Sequence, residues 1–510
     1  MNIDAFIATV QSRLDHASDH LALMQVDPVY ARRYIRLLFQ GEAYKSVPRT
    51  TAWQIVDSTL TMELKSLYWW FCVREEAELV RDLQHRFKDQ IDPGSPLPPK
   101  YDHALSALEV VLVNFMNIRC DMCRNQIEQR PGFSKYYRWE EIGPRKLEVT
   151  RVNPEPLPNR FFTDPLYWYL INLCAPPDGR GCIDHARLFA YLEHHLATAS
   201  QEKRTRVDQT VIDWFSEIAV NHQLLLTLRL SRPQNHIGFT DKLLKTEKGR
   251  VWRNKLLEAG NVHLTSARPL LLKRFYETAP PQGRRDTAWL KQYDEVSVNL
   301  ATYWSAIRGP SKHFEEPDVA HFIRADLDPS HVAQVNAQRQ TVLDEIESRL
   351  TIPEHVNTVQ LPLATERAKL ELVQTSVKTK TRPEKQTDAS EIDPPTSELE
   401  SMSLPDDRPT AVVRTSKRAV EVFNKMFATD VEDATQGCEW DAFVHAMRDR
   451  GFTARDSAGS AVVFELPESG RIVFHKPHPT PKIDPITLRA MRKRLHKWFG
   501  FGRESFVLGA

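Results

Sequence analysis

The chain has 510 residues, 41% of them hydrophobic and 26% charged, which is the composition of an ordinary folded protein and allows about three domains or one large helical body with smaller parts. Its 68 Lys and Arg nearly cancel its 67 Asp and Glu, so a global electrostatic pull toward nucleic acid or membrane is excluded and any such affinity has to be local. Six scattered cysteines, a first segment with Asp4 and no unbroken apolar core, and no apolar run of membrane-spanning length point to reduced thiols in the cytoplasm or nucleus, with no membrane partner.

Taken in chain order, helical periodicity dominates. Ile3, Phe6, Ile7, Val10 and Leu14 form a first apolar stripe. Asp27-Pro28 reads as an N-cap followed by proline at the first helical position, opening a helix through Phe39. Amphipathic stretches predict further helices at about 50–90, 99–129, 183–198, 203–231, 265–278, 286–307 and 328–350. Prolines at Pro93 to Pro99, Pro154 to Pro158, Pro176-Pro177 and Pro280-Pro281 break them. No fixed repeat period recurs, and residues 1–375 are expected to be almost wholly α-helical.

Several clusters in this body invite a chemical reading. Cys120-Asp121-Met122-Cys123 has the spacing of half a zinc site, but it lies within a helical stretch and no second Cys or His pair follows at zinc-finger distance. Cys174, Cys182 and His185 bracket a loop and supply three ligands without a fourth. His194-His195 is read as the solvated side of a helix whose other side carries Phe189, Tyr191, Leu192 and Leu196. Tyr68-Trp69-Trp70-Phe71 is read as core. Tyr136-Tyr137-Arg138-Trp139 is either an exposed recognition loop or packing, with packing preferred. P-loop, GxGxxG, HExxH and GxSxG signatures are absent, and no cofactor, metal or catalytic residue is assigned.

From about Ser376 to Thr410 the chain turns to Lys, Glu, Asp, Ser, Thr and Pro with no aromatics, a composition that cannot bury enough apolar surface to offset its ordering entropy. The expected architecture is therefore mainly α: a large helical N-terminal body over 1–375, a flexible linker over 376–412, and a small C-terminal α+β module over 413–510 with its leading helix starting near Ser416. In the module, Trp440, Phe443, Val444 and Met447 make a helical stripe that Gly451 terminates. Val462, Phe464 and Leu466 alternate with Ala461, Val463 and Glu465, and after the turn Pro467 to Gly470 the alternation resumes from Arg471 to His475. Pro477, Pro479 and Pro481 make an extended crossing. A closing helix from Ile486 to Trp498 is expected to bury Leu488, Met491, Leu495 and Trp498 and to expose Arg489, Arg492, Lys493, His496 and Lys497. A helix, a three-stranded antiparallel sheet and a helix result.

This order, with Gly451-Phe452, Gly459-Ser460, the second hairpin strand through Phe474, and Thr487-Leu488-Arg489, resembles the HicA-type toxins of bacterial toxin–antitoxin pairs. The resemblance covers roughly the last seventh of the chain. It implies a double-stranded-RNA-binding-like fold and cleavage of messenger RNA. That family's catalytic histidine follows the Gly-Ser pair directly, where this chain has Ala461, so the carried-over catalytic role has no bearer. The segment Leu21 to Leu38, together with the "FHxPHP" element from Phe474 to Pro479, also resembles a family of long filamentous-fungal proteins with a helical body and a similar tail. That second resemblance supports the architecture and implies no activity.

Between Arg471 and Arg503 there are nine Lys or Arg against the single acid Asp484. In a neutral chain this clustering is local, and a basic stripe of that kind attracts phosphates by counterion release with little dependence on sequence. Ser460, His475, Lys476, His478, Lys482, Arg489, Arg492, Lys493 and Lys497 are the candidate nucleic-acid contacts. Three readings follow. One is a catalytically silent RNA-binding module tethered to a helical body. Another is a helical scaffold whose tail docks an acidic protein surface. The third is a ribonuclease using His475 or His478 as general base.

Overall fold

A computed structural model describes residues 1–39, 49–92, 94–127, 130–143, 146–151, 157–175, 185–207, 209–232, 267–282, 286–309, 413–427, 437–456, 461–467, 470–477, 481–483, 485–502 and 505–508, with short pieces at 320, 323–324, 336, 339–340 and 342–348. The expected linker, 376–412, lies outside the described residues.

Helix α1 (Ile3–Val26) starts where the Asn2 side chain accepts the Ala5 N–H, and of its predicted stripe Ile3, Phe6, Val10 and Leu14 are buried while Ile7 is half-buried. Asp27 caps α2 (Pro28–Phe39) through hydrogen bonds from the Val29 and Tyr30 N–H groups. The 38-residue α3 (Arg49–Arg86) spans about 57 Å at 1.5 Å per residue. It packs between α1 and α4 (Pro99–Ile127), and α8 (Gln209–Leu230) covers the other side of α4. Trp69 and Trp70 both reach Phe115 across the α3–α4 contact, with centroids 5.1 and 4.9 Å away, so the aromatic run is core as expected. Helices α9 (Arg268–Glu277) and α10 (Thr287–Arg308) pack on each other and complete the body against α3 and α1.

One departure from an all-helical body lies in the middle of the chain. Residues Tyr137–Gly143 and Lys146–Arg151 form an antiparallel hairpin, β1 and β2. Two short helices, α5 (Leu157–Thr163) and α6 (Pro165–Leu173), precede α7 (His185–Thr198). The hairpin root is fixed by a polar knot: Asp164 caps α6, accepts the Tyr136 hydroxyl at 2.5 Å, and receives both terminal nitrogens of Arg206 at 2.8 and 2.7 Å. Burial alone would raise the Asp164 carboxyl, but the hydrogen bonds from Arg206 and Tyr136 outweigh it and hold it down at about 2. Tyr136 and Tyr137 are accordingly buried, which settles them as packing rather than as an exposed loop. Tyr191, expected among the apolar residues of α7, is 55% exposed, because the buried stripe runs instead through His185, Leu188, Leu192 and Leu196.

The C-terminal module has its own core. Ser416 caps α11 (Lys417–Met426), its hydroxyl accepting the Ala419 N–H. Helix α12 (Trp440–Asp449) ends at Gly451, whose φ of +103° lets the Phe452 N–H reach the Met447 carbonyl and the Gly451 N–H reach Arg448. Strands β5 (Thr453–Asp456), β6 (Ala461–Leu466) and β7 (Gly470–His475) form one antiparallel sheet, with Val462 opposite Phe474 and Phe464 opposite Ile472. Those four residues face the core with Trp440 and Phe443, as period-two alternation requires. Two small pairings frame the sheet: β3 (Val413–Thr415) runs parallel to β9 (Phe506–Leu508), and β4 (Cys438–Glu439) antiparallel to β8 (Lys482–Ile483). The closing helix is α13 (Pro485–Phe499). Among the described residues no helix is long and apolar enough to cross a membrane.

Candidate nucleic-acid interface

Of the candidate contacts, His475 lies on β7, Lys482 on β8, and Arg489, Arg492, Lys493 and Lys497 on α13. His475 closes β7 and pairs with Ala461 at the start of β6. Lys476 follows, half-buried, and Lys482 is exposed on β8. Arg489, Lys493 and Lys497 recur at i, i+4 and i+8 along α13 and share one row of the helix. Ser460 and His478 lie outside the described residues, as do the side chains of His475, Arg489, Lys493 and Lys497.

Three residues of α13 differ from the sequence expectation. Trp498 is 56% exposed rather than buried: it lies one turn beyond Leu495, where Phe499 and Phe501 stack at 5.6 Å and close the core in its place. His496, expected on the open face, is half-buried with Nδ1 3.2 Å from the Phe501 carbonyl oxygen. Arg492 is half-buried with its guanidinium 5.8 Å from the Phe427 ring centre, a cation–π placement that joins α13 to the end of α11.

Arg494 is the residue that sequence reasoning left among the generic basic positions. It is only 4% exposed, donates to the Val473 carbonyl at 2.9 Å, lies 5.1 Å from the Phe474 ring centre, and pairs through Nε with Asp19 of α1 at 2.6 Å. Its neighbour one turn earlier, Ala490, is 6% exposed and belongs to the apolar core of the helical body. A cation in a basic run gives no local signal that it will pair with an acid over four hundred residues away, so only the tertiary structure reveals the contact.

The clusters of the body resolve as structure. Cys120, Cys123 and Cys174 are buried free thiols, with burial pushing Cys120 up to about 12 and raising Cys123 and Cys174 well above the ordinary thiol value, far from a reactive thiolate. His185 is buried and lies against His222 at 4.8 Å, while Cys182 lies outside the described residues. Among the described residues no three His, Cys, Asp or Glu side chains converge as metal ligands.

The module's sequence matches a family model described as the HicA toxin of bacterial toxin–antitoxin, over residues 440–496. That span runs from the first turn of α12 to the last turn of α13 and contains the whole three-stranded sheet. Comparison with curated proteins and with solved structures finds no similar protein. The likeness is thus confined to the module, and the helical body stands outside it.

Proposed function

We propose that the C-terminal module is a catalytically silent RNA-binding unit carried by a helical body. The observation that carries this reading is the local excess of nine Lys or Arg over one acid between Arg471 and Arg503, placed on a HicA-like module in an otherwise neutral chain. Shape recognition of A-form RNA needs cations at backbone spacing more than base-reading side chains, and the i, i+4, i+8 row of Arg489, Lys493 and Lys497 offers that spacing. Catalysis is set aside because Ala461 cannot accept or donate a proton where the toxin family carries its histidine.

Replacing Arg489, Arg492, Lys493 and Lys497 together by glutamine tests it. Leu488, Met491 and Leu495 hold α13 in the module core and are untouched. RNA affinity of the full chain should fall, and the slope of log affinity against log salt should flatten by about 0.7–0.9 per lost contact. Unchanged affinity transfers the basic face to an acidic protein partner, and RNA cleavage lost on replacing His475 or His478 restores the ribonuclease reading.

A further inference from the structure

The module is not merely tethered to the body; it is seated on it. Helix α13 lies against α1 and α2, and β7 lies against α1. Successive stripes of α13 serve two different cores. Leu488, Met491 and Leu495 fill the module, whereas Ala490 enters the apolar core of the body and Arg494 pairs with Asp19. Ala490 and Arg494 are four residues apart and so share a stripe, and each directly follows a member of the basic row, Arg489 and Lys493. The body therefore occupies the flank of the helix next to that row.

Shape recognition of duplex RNA demands an open approach, since double-stranded-RNA-binding folds span about 16 base pairs. A helical body packed on the neighbouring stripe denies that approach on one side. The same contact removes a cation from the face: Arg494 is neutralised by Asp19 and anchored on the Val473 carbonyl.

We propose that the helical body is an intramolecular cover for the module's basic helix, and that RNA gains full access only when the Ala490–Arg494 stripe lifts away from α1 and α2. This rests on the RNA-binding reading above. In such a scheme the apparent dissociation constant is the intrinsic one divided by the open fraction, so a module open one tenth of the time binds about tenfold more weakly than a free one.

Two variants in the full chain open the contact from opposite sides. Asp19→Arg turns the ion pair into a repulsion, at a body residue whose side chain is 18% exposed. Ala490→Trp wedges the seam from the module side without touching the module's own core. Dyes placed on α11 and α7 report separation, thermal melting reports folding, and filter binding with an RNA duplex of about 20 base pairs, chosen to exceed that 16-base-pair span, reports affinity. The expected result is a larger separation in both variants, RNA affinity at least about tenfold tighter than wild type, and a salt slope steeper by about one phosphate contact as Arg494 is released. Wider separation with wild-type affinity overturns the cover while leaving the RNA reading intact, provided the four-glutamine variant still weakens binding. Unchanged separation in both folded variants overturns the cover at its root. RNA binding by neither the wild type nor the opened variants removes the RNA reading and the cover together, and leaves the seam as packing alone.

Discussion

Arg268 and Asp57 meet at 2.7 Å although 211 residues separate them in the chain, and neither side chain has any solvent exposure. The Tyr303 hydroxyl donates to the same carboxylate at 3.1 Å, and Arg268 also donates to the Thr61 hydroxyl at 3.1 Å. Burial pushes the Asp57 carboxyl up, and the hydrogen bond and charge of Arg268 oppose that rise. Removing one partner strands a charge in the interior of α3 and α9. Asp57→Ala should cost about 3–5 kcal/mol, whereas Asp57→Leu with Arg268→Met should cost less than the two single changes added. Urea denaturation of the four proteins supplies the cycle, and simple additivity would show that the pair does not act as a unit.

Gly132 sits where a side chain has no room. A Cβ there would lie 2.7 Å from the Arg206 Cβ and 2.9 Å from its Cα, and the Gly132 carbonyl accepts Arg206 Nε at 2.9 Å. Gly132→Ala should displace Arg206, loosen the Asp164 knot and cost about 1–3 kcal/mol as overpacking. Gly94→Ala is the contrast. Its φ of +88° implies strain of about 1–2 kcal/mol, but its Cβ would meet nothing within 4 Å. A lowered denaturation midpoint in both variants, with an altered near-ultraviolet tyrosine signal in the Gly132 variant alone, would bear this out.

The polar row of α1 makes the fold sensitive to acid. Burial, with Arg13, Arg494 and His20 nearby, holds the His16 imidazole well below its ordinary 6.5. Above that pH neither the folded nor the unfolded chain carries the proton, and His16 adds no pH dependence. Below it the unfolded chain takes up a proton that the folded chain refuses, so stability falls with pH at up to about 1.4 kcal/mol per unit. Unfolding free energies between about pH 7 and 5 should show this slope in the wild type and lose it in His16→Gln. An equal slope in both proteins would assign the acid sensitivity to other groups.

Ser416 links two helices of the module. Its hydroxyl accepts the Ala419 N–H, and its own N–H donates to Asp449 at the end of α12 at 2.5 Å. Ser416→Ala should cost about 0.5–2 kcal/mol as a lost N-cap, and Ser416→Asp should recover most of it. Thermal melting of the variants in the full chain reads the difference, and an equal loss in both would place the energy in the backbone contact with Asp449.

What the sequence made legible follows from which forces are local. The long helices were readable because stripes such as Ile3, Phe6, Val10 and Leu14 declare a buried face within one segment. The module's hairpin was readable for the same reason at period two, through Val462, Phe464, Ile472 and Phe474. The β1–β2 hairpin was not, because its position is fixed by Asp164 and Arg206, which lie well beyond it in the chain. In α13 the row of cations was visible but the division of labour within it was not. Arg494 is distinguished from Lys493 only by Asp19, and Trp498 from Leu495 only by where Phe499 and Phe501 end the core.

The parallel pairing of β3 with β9 lies wholly outside the span that matches the toxin family. Phe423 of α11 stacks on Phe506 of β9 at 3.7 Å, and Phe501 meets the same ring at 5.6 Å, so both flanks of the matched span are sewn to each other through one aromatic residue. A fragment cut to the matched residues alone would leave the outer side of α12 and the end of α13 without their aromatic lid. The module's own apolar cluster instead draws on residues from Ala419 to Phe506, and because β3 and β9 lie side by side, the ends of a piece running from Val413 to Leu508 are close enough for a short linker to join them and for new ends to be opened elsewhere, a circular permutation of the module.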